Sequence, residues 1–390
     1  MDWLRDRTLA TLAGAAIGDA LGGATEGWTP EQIQQRHGGP VSGIVGPYYP
    51  DWRNARPIAP YHKGDGHITD DTLMTHALVQ VYATRRTHLD AYAMASDLVP
   101  LLIGEQVWIP EFEAEALILQ RIFLAEKWLV ARLHYGHVDP REAGVGNIVN
   151  CGAAMYVAPV GVVNATSPAA AYAEAIDLAG AHQSSYGREA AGVFAAAVAA
   201  ALTPGVTMDE VIDAALAVAH DGTRAAIEAV AAAARGLARD ADQATVWQAL
   251  RSAVRPYDTV GDDYRAPDLD ARRPSRTKSI EELPVALGFC LHSGGDFRAA
   301  VLGAVNYGRD ADSIATMAGA VCAAWGGSGV IPTEWIGEVE QSSRIDLNAV
   351  ADQLASAAAE IIAADLSAAE ARRERLGPLL GQAAAAVGGG

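Results

Sequence analysis

Apolar residues recur every three or four positions along most of this chain, the spacing of helices that bury one face. The pattern predicts helices over residues 4–21, 72–84, 110–133, 169–181, 188–202, 208–220 and 223–239. It predicts more over 244–254, 280–292, 296–307, 313–325 and 348–364. Alanine dominates these stretches; it is the best helix former and small enough for helices to approach closely. The β-branched clusters are short, and 41–45 and 157–163 are the only strand-like pieces. The expectation is an all-α fold, one domain of roughly a dozen helices.

Punctuation between these elements is clear. Thr203-Pro204-Gly205 and Gly326-Gly327-Ser328-Gly329 break the periodicity. Gly14, Gly18 and Gly22 fall on one helix face at four-residue intervals, which predicts a neighbouring helix packed against them. Neither an internal repeat nor an interdomain linker stands out. The expected division is a helical domain over 1–365 and a tail over 366–390, helical and then fraying. Two stretches resist helical assignment. Residues 37–67 are rich in glycine, proline and aromatics (Tyr48, Tyr49, Trp52, Tyr61), and 255–279 carry charges of both signs. Loops of that length are usually functional or disordered, and each precedes an acidic string or its leading helices, so both are expected to wall a cleft.

Composition narrows the function. The chain has 390 residues, half of them hydrophobic, enough for a large core. Its net charge of −18 argues against sequence-independent nucleic-acid binding, which needs basic surface. Cys151, Cys290 and Cys322 are scattered without metal or redox spacing, as expected of reduced, cytoplasmic thiols. No segment has the run of apolar residues a membrane span needs. The apolar run 9–24 is broken by Asp19 and lacks a cationic leader, so no signal peptide is expected.

Against this background two acidic strings stand out: Thr69-Asp70-Asp71-Thr72 and Gly308-Arg309-Asp310-Ala311-Asp312-Ser313. Each sets two carboxylates and a hydroxyl at the mouth of an apolar helix. One explanation is helix capping, by Thr69 in the first string and by Asp312 or Ser313 in the second. Capping accounts for one acid in each string but not for two. A hard cation between them accounts for both, and the absence of thiol or imidazole within the strings selects Mg²⁺, Mn²⁺ or Ca²⁺ over Zn²⁺. The second string is no EF-hand, because Ile314 and Ala315 stand where that loop needs an oxygen ligand and glycine.

Three weaker signals accompany them. Glu26 follows a run of small residues at a helix end, where a negative charge opposes the dipole; it suits a surface loop or a general base. His182-Gln183-Ser184-Ser185 lies between two helices, as a cap, a buried polar contact or part of a site. Asn150-Cys151-Gly152-Ala153-Ala154 is a small-residue turn that would let a ligand approach backbone N–H groups. Walker A, nucleophile-elbow, HExxH and GxGxxG patterns are all absent.

Taken together, these motifs resemble the ADP-ribosylglycohydrolase family, which includes dinitrogenase reductase-activating glycohydrolase. Gly14-Ala15-Ala16-Ile17-Gly18-Asp19-Ala20-Leu21-Gly22 followed by Glu26 is similar to its N-terminal signature. Thr69-Asp70-Asp71-Thr72 matches its TDDT motif, and Asn150 to Met155, with Pro159 and Gly161, resembles its GNGAAMR stretch. Gly308-x-Asp310-x-Asp312-Ser313-Ile314-Ala315 matches a fourth motif. The resemblance implies an orthogonal α-bundle with two Mg²⁺ ions, Mn²⁺ being acceptable. Their ligands would be Thr69, Asp70, Asp71, Asp310, Asp312 and Ser313, with Asp312 shared. Glu26, Asp70 and Asp312 would form the catalytic set, and Asn150, Gly152, Ala153, Tyr156, His182 and Ser184 would bind substrate.

The implied reaction is hydrolysis of the bond between C1 of a ribosyl group, most simply ADP-ribosyl, and an N- or O-linked acceptor. Its oxocarbenium-like transition state is cationic, and a surplus carboxylate stabilises it. The implied partner is a small or protein-linked ribosyl substrate, with neither nucleic acid nor membrane. The chain departs from the family pattern where substrate is recognised: Tyr156 stands in place of the motif's arginine, and 182–185 differ from the usual run. Those departures keep a second reading open, an N-ribosyl hydrolase for another nucleoside or nucleotide. A third, an idle relative kept as a scaffold, sits poorly with a complete set of acids. The aromatics of 48–61 would stack on a base, and Arg272, Arg273, Arg276 and Lys278 would meet phosphate or simply face solvent.

Overall fold

The computed structural model describes residues 2–47, 64–258, 260–264 and 279–380. Tyr48, Tyr49, Trp52 and Tyr61, and the basic group Arg272, Arg273, Arg276 and Lys278, lie outside the described residues. The chain opens with α1 (Asp2–Gly22), α2 (Pro30–His37), α3 (Asp70–Arg85), α4 (Ala91–Ala93) and α5 (Val99–Gly104). A hairpin of β1 (Gln106–Ile109) and β2 (Ala114–Leu117) follows, then α6 (Ile118–Arg121) and α7 (Leu124–Leu129). Next come α8 (Ala158–Val163), α9 (Pro168–Ala179), α10 (Ser185–Ala201), α11 (Met208–Val218), α12 (Asp221–Gly236) and α13 (Gln243–Val254). The last elements are α14 (Ser279–Ser293), α15 (Phe297–Tyr307), α16 (Ala311–Gly326), α17 (Thr333–Ser343) and α18 (Leu347–Leu376). The fold is all-α, as the periodicity predicts. The expected 365/366 boundary falls inside α18.

Two expectations are corrected. Of residues 157–163, Val157 occupies the N-cap and Ala158–Val163 form α8 rather than a strand. Pro159 pre-sets the first helical turn, and Gly161 lets α10 in: a Cβ there would sit 2.7 Å from the Ala195 carbonyl oxygen. Every residue of α8 is buried, so packing on all sides outweighs the strand preference of its valines. Residues 110–133 are not one helix. Pro110 and Glu113 turn the chain, Glu113 with φ of 50°, and Gln106–Ile109 pairs antiparallel with Ala114–Leu117 in the register Gln106↔Leu117.

The centre of the bundle is the contact between α1 and α16, and the glycine stripe makes it possible. A Cβ at Gly14 would stand 2.5 Å from the Gly319 carbonyl oxygen, and one at Gly18 would stand 2.1 Å from that of Ala315. Neither distance leaves room for a side chain. The two backbones therefore touch, which fixes the start of α16 against the end of α1.

Candidate functional site

Three helix termini meet at that contact. α1 supplies Asp19, and the turn after it supplies Glu26; α3 supplies Thr69 to Thr72 at its start; α16 supplies Asp310, Asp312 and Ser313. The last glycine of the stripe sets the join, since a Cβ at Gly22 would lie 2.5 Å from Asp312 Cα. All these polar residues are buried.

Capping does not explain the two strings. Thr69 occupies the N-cap of α3 and Asp310 that of α16, yet neither side chain makes a capping bond. Elsewhere the same residue types cap in the ordinary way: Asp242 accepts from Thr245 N and Asp296 from Ala299 N. Thr69 turns its hydroxyl to Asp19 Oδ1 at 2.6 Å, with Asp71 Oδ2 at 3.3 Å. Asp19 also accepts from the backbone amides of Thr69 (2.9 Å) and Thr72 (3.1 Å) and from the Thr72 hydroxyl. One carboxylate thus accepts from both threonine hydroxyls and both backbone amides.

The acids form three overlapping groups. Oxygens of Asp19, Asp71 and Asp312 lie within 4.8 Å of one another; so do those of Glu26, Asp310 and Asp312, and the ligand atoms of Cys151, Glu282 and Asp310. Asp312 belongs to the first two groups and Asp310 to the last two. Asp70 stands beside them, its Oδ2 accepting from Phe123 N at 2.9 Å. Ser313 N donates to Asp312 Oδ1 at 3.0 Å. Asp71 Oδ1 is buried without a hydrogen-bond partner.

Electrostatics follow from this crowding. Burial, then the charge of Glu26 and Asp71, holds the Asp312 carboxyl well above the usual range. Burial, then the charge of Asp19 and Asp70, does the same for Asp71. Asp19 is pushed up to about 6 by burial despite its donors. Asp70 is raised by burial and drawn back by the Arg121 guanidinium. Buried oxygens with like-charged neighbours and an orphaned lone pair are the donor set a hard divalent cation satisfies, so the residues fit such an ion.

The expected substrate residues gather around the turn Cys151–Ala153, whose cysteine meets Asp310. Asn150 Oδ1 accepts from Gly152 N (3.1 Å) and from Gln183 Nε2 (2.8 Å), so the amide of Gly152 is already engaged within the turn. A Cβ at Gly152 would stand 2.2 Å from Glu126 Oε1, so a larger residue would displace the buried Glu126 side chain. Ala153 is fully buried in the same turn, and Ser184 stands at the N-cap of α10 without capping it. Tyr156 and His182 are both fully buried and paired with each other. His182 Nε2 lies 2.9 Å from the Ala125 carbonyl, so it carries the proton, and Nδ1 accepts from the Tyr156 hydroxyl at 3.0 Å. Burial lowers His182 to about 4, which keeps it neutral.

Several residues in this site were not singled out from the sequence. Asp19 was legible only as an acid interrupting an apolar helix. Glu126 is 1% exposed, with Oε2 unpartnered and Oε1 3.6 Å from His182 Nε2. Glu282 is 1% exposed with neither oxygen bonded, and its one signal was a Glu-Glu pair opening an apolar helix. Arg309, immediately before the motif acids, pairs through Nε with Glu281 and through an Nη with Asp258 at 3.3 Å. Its guanidinium also stacks over the Tyr264 ring at 5.3 Å, fastening Asp258 and Tyr264 to the site.

Three helix termini thus converge on a cluster of buried acids, and comparison with known proteins gives the family. A family model described as ADP-ribosylglycohydrolase matches residues 2–363, and the chain belongs to that family, glycohydrolases acting on ribosyl groups. It is 25% identical over 362 residues to "Uncharacterized protein YegU" of Escherichia coli (strain K12), a match covering 90% of this chain and 96% of that one. A solved structure titled "ADP-ribosylglycohydrolase-related protein complex" shares the fold with a TM-score of 0.58 at 21% identity, covering 92% of this chain and 100% of its own. No helix among the described residues is long and apolar enough to cross a membrane.

Proposed function

We propose that this protein is a divalent-cation-dependent hydrolase that cleaves the bond between C1 of a ribosyl group, ADP-ribosyl first among candidates, and an N- or O-linked acceptor. The observation that carries the reading is the sharing of Asp312 between two groups of buried carboxylates whose oxygens lie within 4.8 Å. Thr69, Asp70, Asp71, Asp310, Asp312 and Ser313 would hold two Mg²⁺ ions, or Mn²⁺. When bound, such ions polarise the ribose hydroxyls and neutralise most of the clustered charge.

The chain's own residues do the rest. Asp19 takes the Thr69 and Thr72 hydroxyl protons, which leaves the Thr69 oxygen's lone pairs for a cation. Phe123 N holds Asp70 in place. Glu26, beside Asp310 and Asp312, is positioned to take a proton from water attacking C1. The surplus negative charge of the cluster stabilises the cationic transition state. The turn 150–153, the Tyr156–His182 pair and Ser184 form the wall that shapes the substrate pocket. The chain would work in the cytoplasm.

Calorimetric titration of ADP-ribose into Mg²⁺-loaded protein, with a chelator-treated control, tests the reading. Metal-dependent binding supports it; no binding by protein that retains its metal overturns ADP-ribose as the bound half. One observation favours a second reading in that event. Where the family motif has arginine, Tyr156 is buried against His182, so no cation at that position meets phosphate. An N-riboside with a different nucleotide half would then be the substrate.

A further inference from the structure

The third group of ligand atoms is chemically unlike the other two. Cys151 enters it from the turn Cys151–Ala153, Glu282 from the first turn of α14, and Asp310 from the N-cap of α16. All three are buried, and their ligand atoms lie within 4.8 Å of one another. Cys151 Sγ is 3.2 Å from Asp310 Oδ2 and 3.2 Å from Ser313 Oγ. Glu282 makes the cluster more than a thiol hydrogen-bonded to an acid. It is 1% exposed, and neither carboxylate oxygen has a hydrogen-bond partner. A carboxylate buried without donors is strongly destabilising unless something positive joins it.

We propose that Cys151, Glu282 and Asp310 form a further cation position that takes a thiophilic divalent ion of the zinc and cadmium class. Sulfur is a poor ligand for Mg²⁺ and a good one for these ions, so the donor set separates this position from its all-oxygen neighbours. Three protein ligands leave the fourth place of a tetrahedral site to water or substrate. The spacing agrees: bonds of about 2.3 Å to sulfur and 2.0 Å to oxygen put tetrahedral ligands about 3.5 Å apart. Sγ and Oδ2 already stand at 3.2 Å, so the ion replaces the bridging proton and releases it to solvent. The other two cysteines offer a contrast. Cys290 Sγ donates to the Ala318 carbonyl at 3.6 Å, and neither Cys290 nor Cys322 falls in any such group among the described residues.

The test is titration of Cd²⁺ into the full-length chain in excess Mg²⁺, reading the ultraviolet thiolate-to-cadmium charge-transfer band. The band should saturate at one ion per chain, vanish in C151S and persist in the C290S/C322S double variant. E282Q, which keeps the thiol, should raise the half-saturating Cd²⁺ concentration at least about tenfold. Absence of the band in the unmodified chain overturns the proposal. So does its survival in C151S, its loss in C290S/C322S, or an unchanged half-saturation in E282Q. If C151S loses its helical circular dichroism, E282Q decides. The readout is an absorbance, so failure of the hydrolytic reading leaves the result intact.

Discussion

Glu174 and Asp312 are both buried acids in one helical bundle, in opposite surroundings. Around Glu174, on α9, donors converge: the Tyr82 hydroxyl at 2.8 Å, Leu89 N at 2.7 Å, Asn164 Nδ2 at 2.6 Å and His88 Nδ1 at 2.6 Å. Around Asp312 the neighbours are Asp19, Asp71, Glu26 and Asp310. The first arrangement is complete within the protein, because every lone pair meets a proton. The second is short of donors, which a bound cation would supply. Burial of an acid therefore does not mark a functional site; a shortage of donors around it does.

The largest effect that follows concerns Asp312. D312N removes the carboxylate shared by two groups, and the ribosyl-bond cleavage rate should fall about a thousandfold, the loss of several kcal/mol of transition-state stabilisation. Stability of the metal-free protein should not fall, since one like charge has gone. Steady-state kinetics beside urea unfolding checks both halves. A metal-free variant much less stable than its parent would erase the contrast with Glu174.

E174A should do the reverse. It strands the Tyr82 hydroxyl, the Asn164 amide and His88 together, and breaking such a network costs about 3–5 kcal/mol of unfolding free energy. Mg²⁺ affinity of the folded fraction should be unchanged. Urea unfolding with and without Mg²⁺ separates the two effects.

Next in size is the response of the unmodified chain to its metal. Binding only the folded state at a hundred times Kd adds about 2.7 kcal/mol, so Mg²⁺ should raise the melting temperature and a chelator should reverse it. In D312N the rise should largely vanish, and in E174A it should persist. Differential scanning fluorimetry reads all three.

The same contrast shows what the sequence could disclose. Helix spacing revealed α1, α3, α10 and α16 because each buries apolar residues at that period, and the stripe of Gly14, Gly18 and Gly22 foretold a packed neighbouring helix, though not that α16 is that neighbour. The two strings were legible because adjacent acids before an apolar helix exceed what capping uses. Asp19 and Glu282 were not, since one is a lone acid in an apolar helix and the other half of an ordinary Glu-Glu helix start, and the meaning of each lies in partners from distant segments, Thr69 in one case and Cys151 in the other. Asn150 and His182 were visible as residues, but their pairing with Gln183 and Tyr156 is set by tertiary structure. The misread valines of α8 show the same limit, because a helix buried on every side carries no amphipathic signal.

The smallest effect tests the complete end of the comparison through pH. The His88 ring is pushed up to about 9 from its ordinary 6.5, chiefly by its hydrogen bond to Glu174 and then by the charge of Glu174, with Asp365 on α18 accepting from the other ring nitrogen at 3.0 Å. Burial opposes this rise and is outweighed. A base whose pKa is higher folded than unfolded binds more protons in the native state between those two values. Its stabilisation is full below about pH 6.5 and is lost as pH climbs through about 9. The ring is 38% exposed, so solvent screening limits the effect to about 1 kcal/mol or less. Urea midpoints should therefore drift downward between pH 6.5 and 9, and H88Q should flatten that drift while leaving the Mg²⁺ response intact. A drift equally steep in H88Q would mean that the donors around Glu174 are secured without the imidazolium, and that His88 is only an outer contact between α9 and α18.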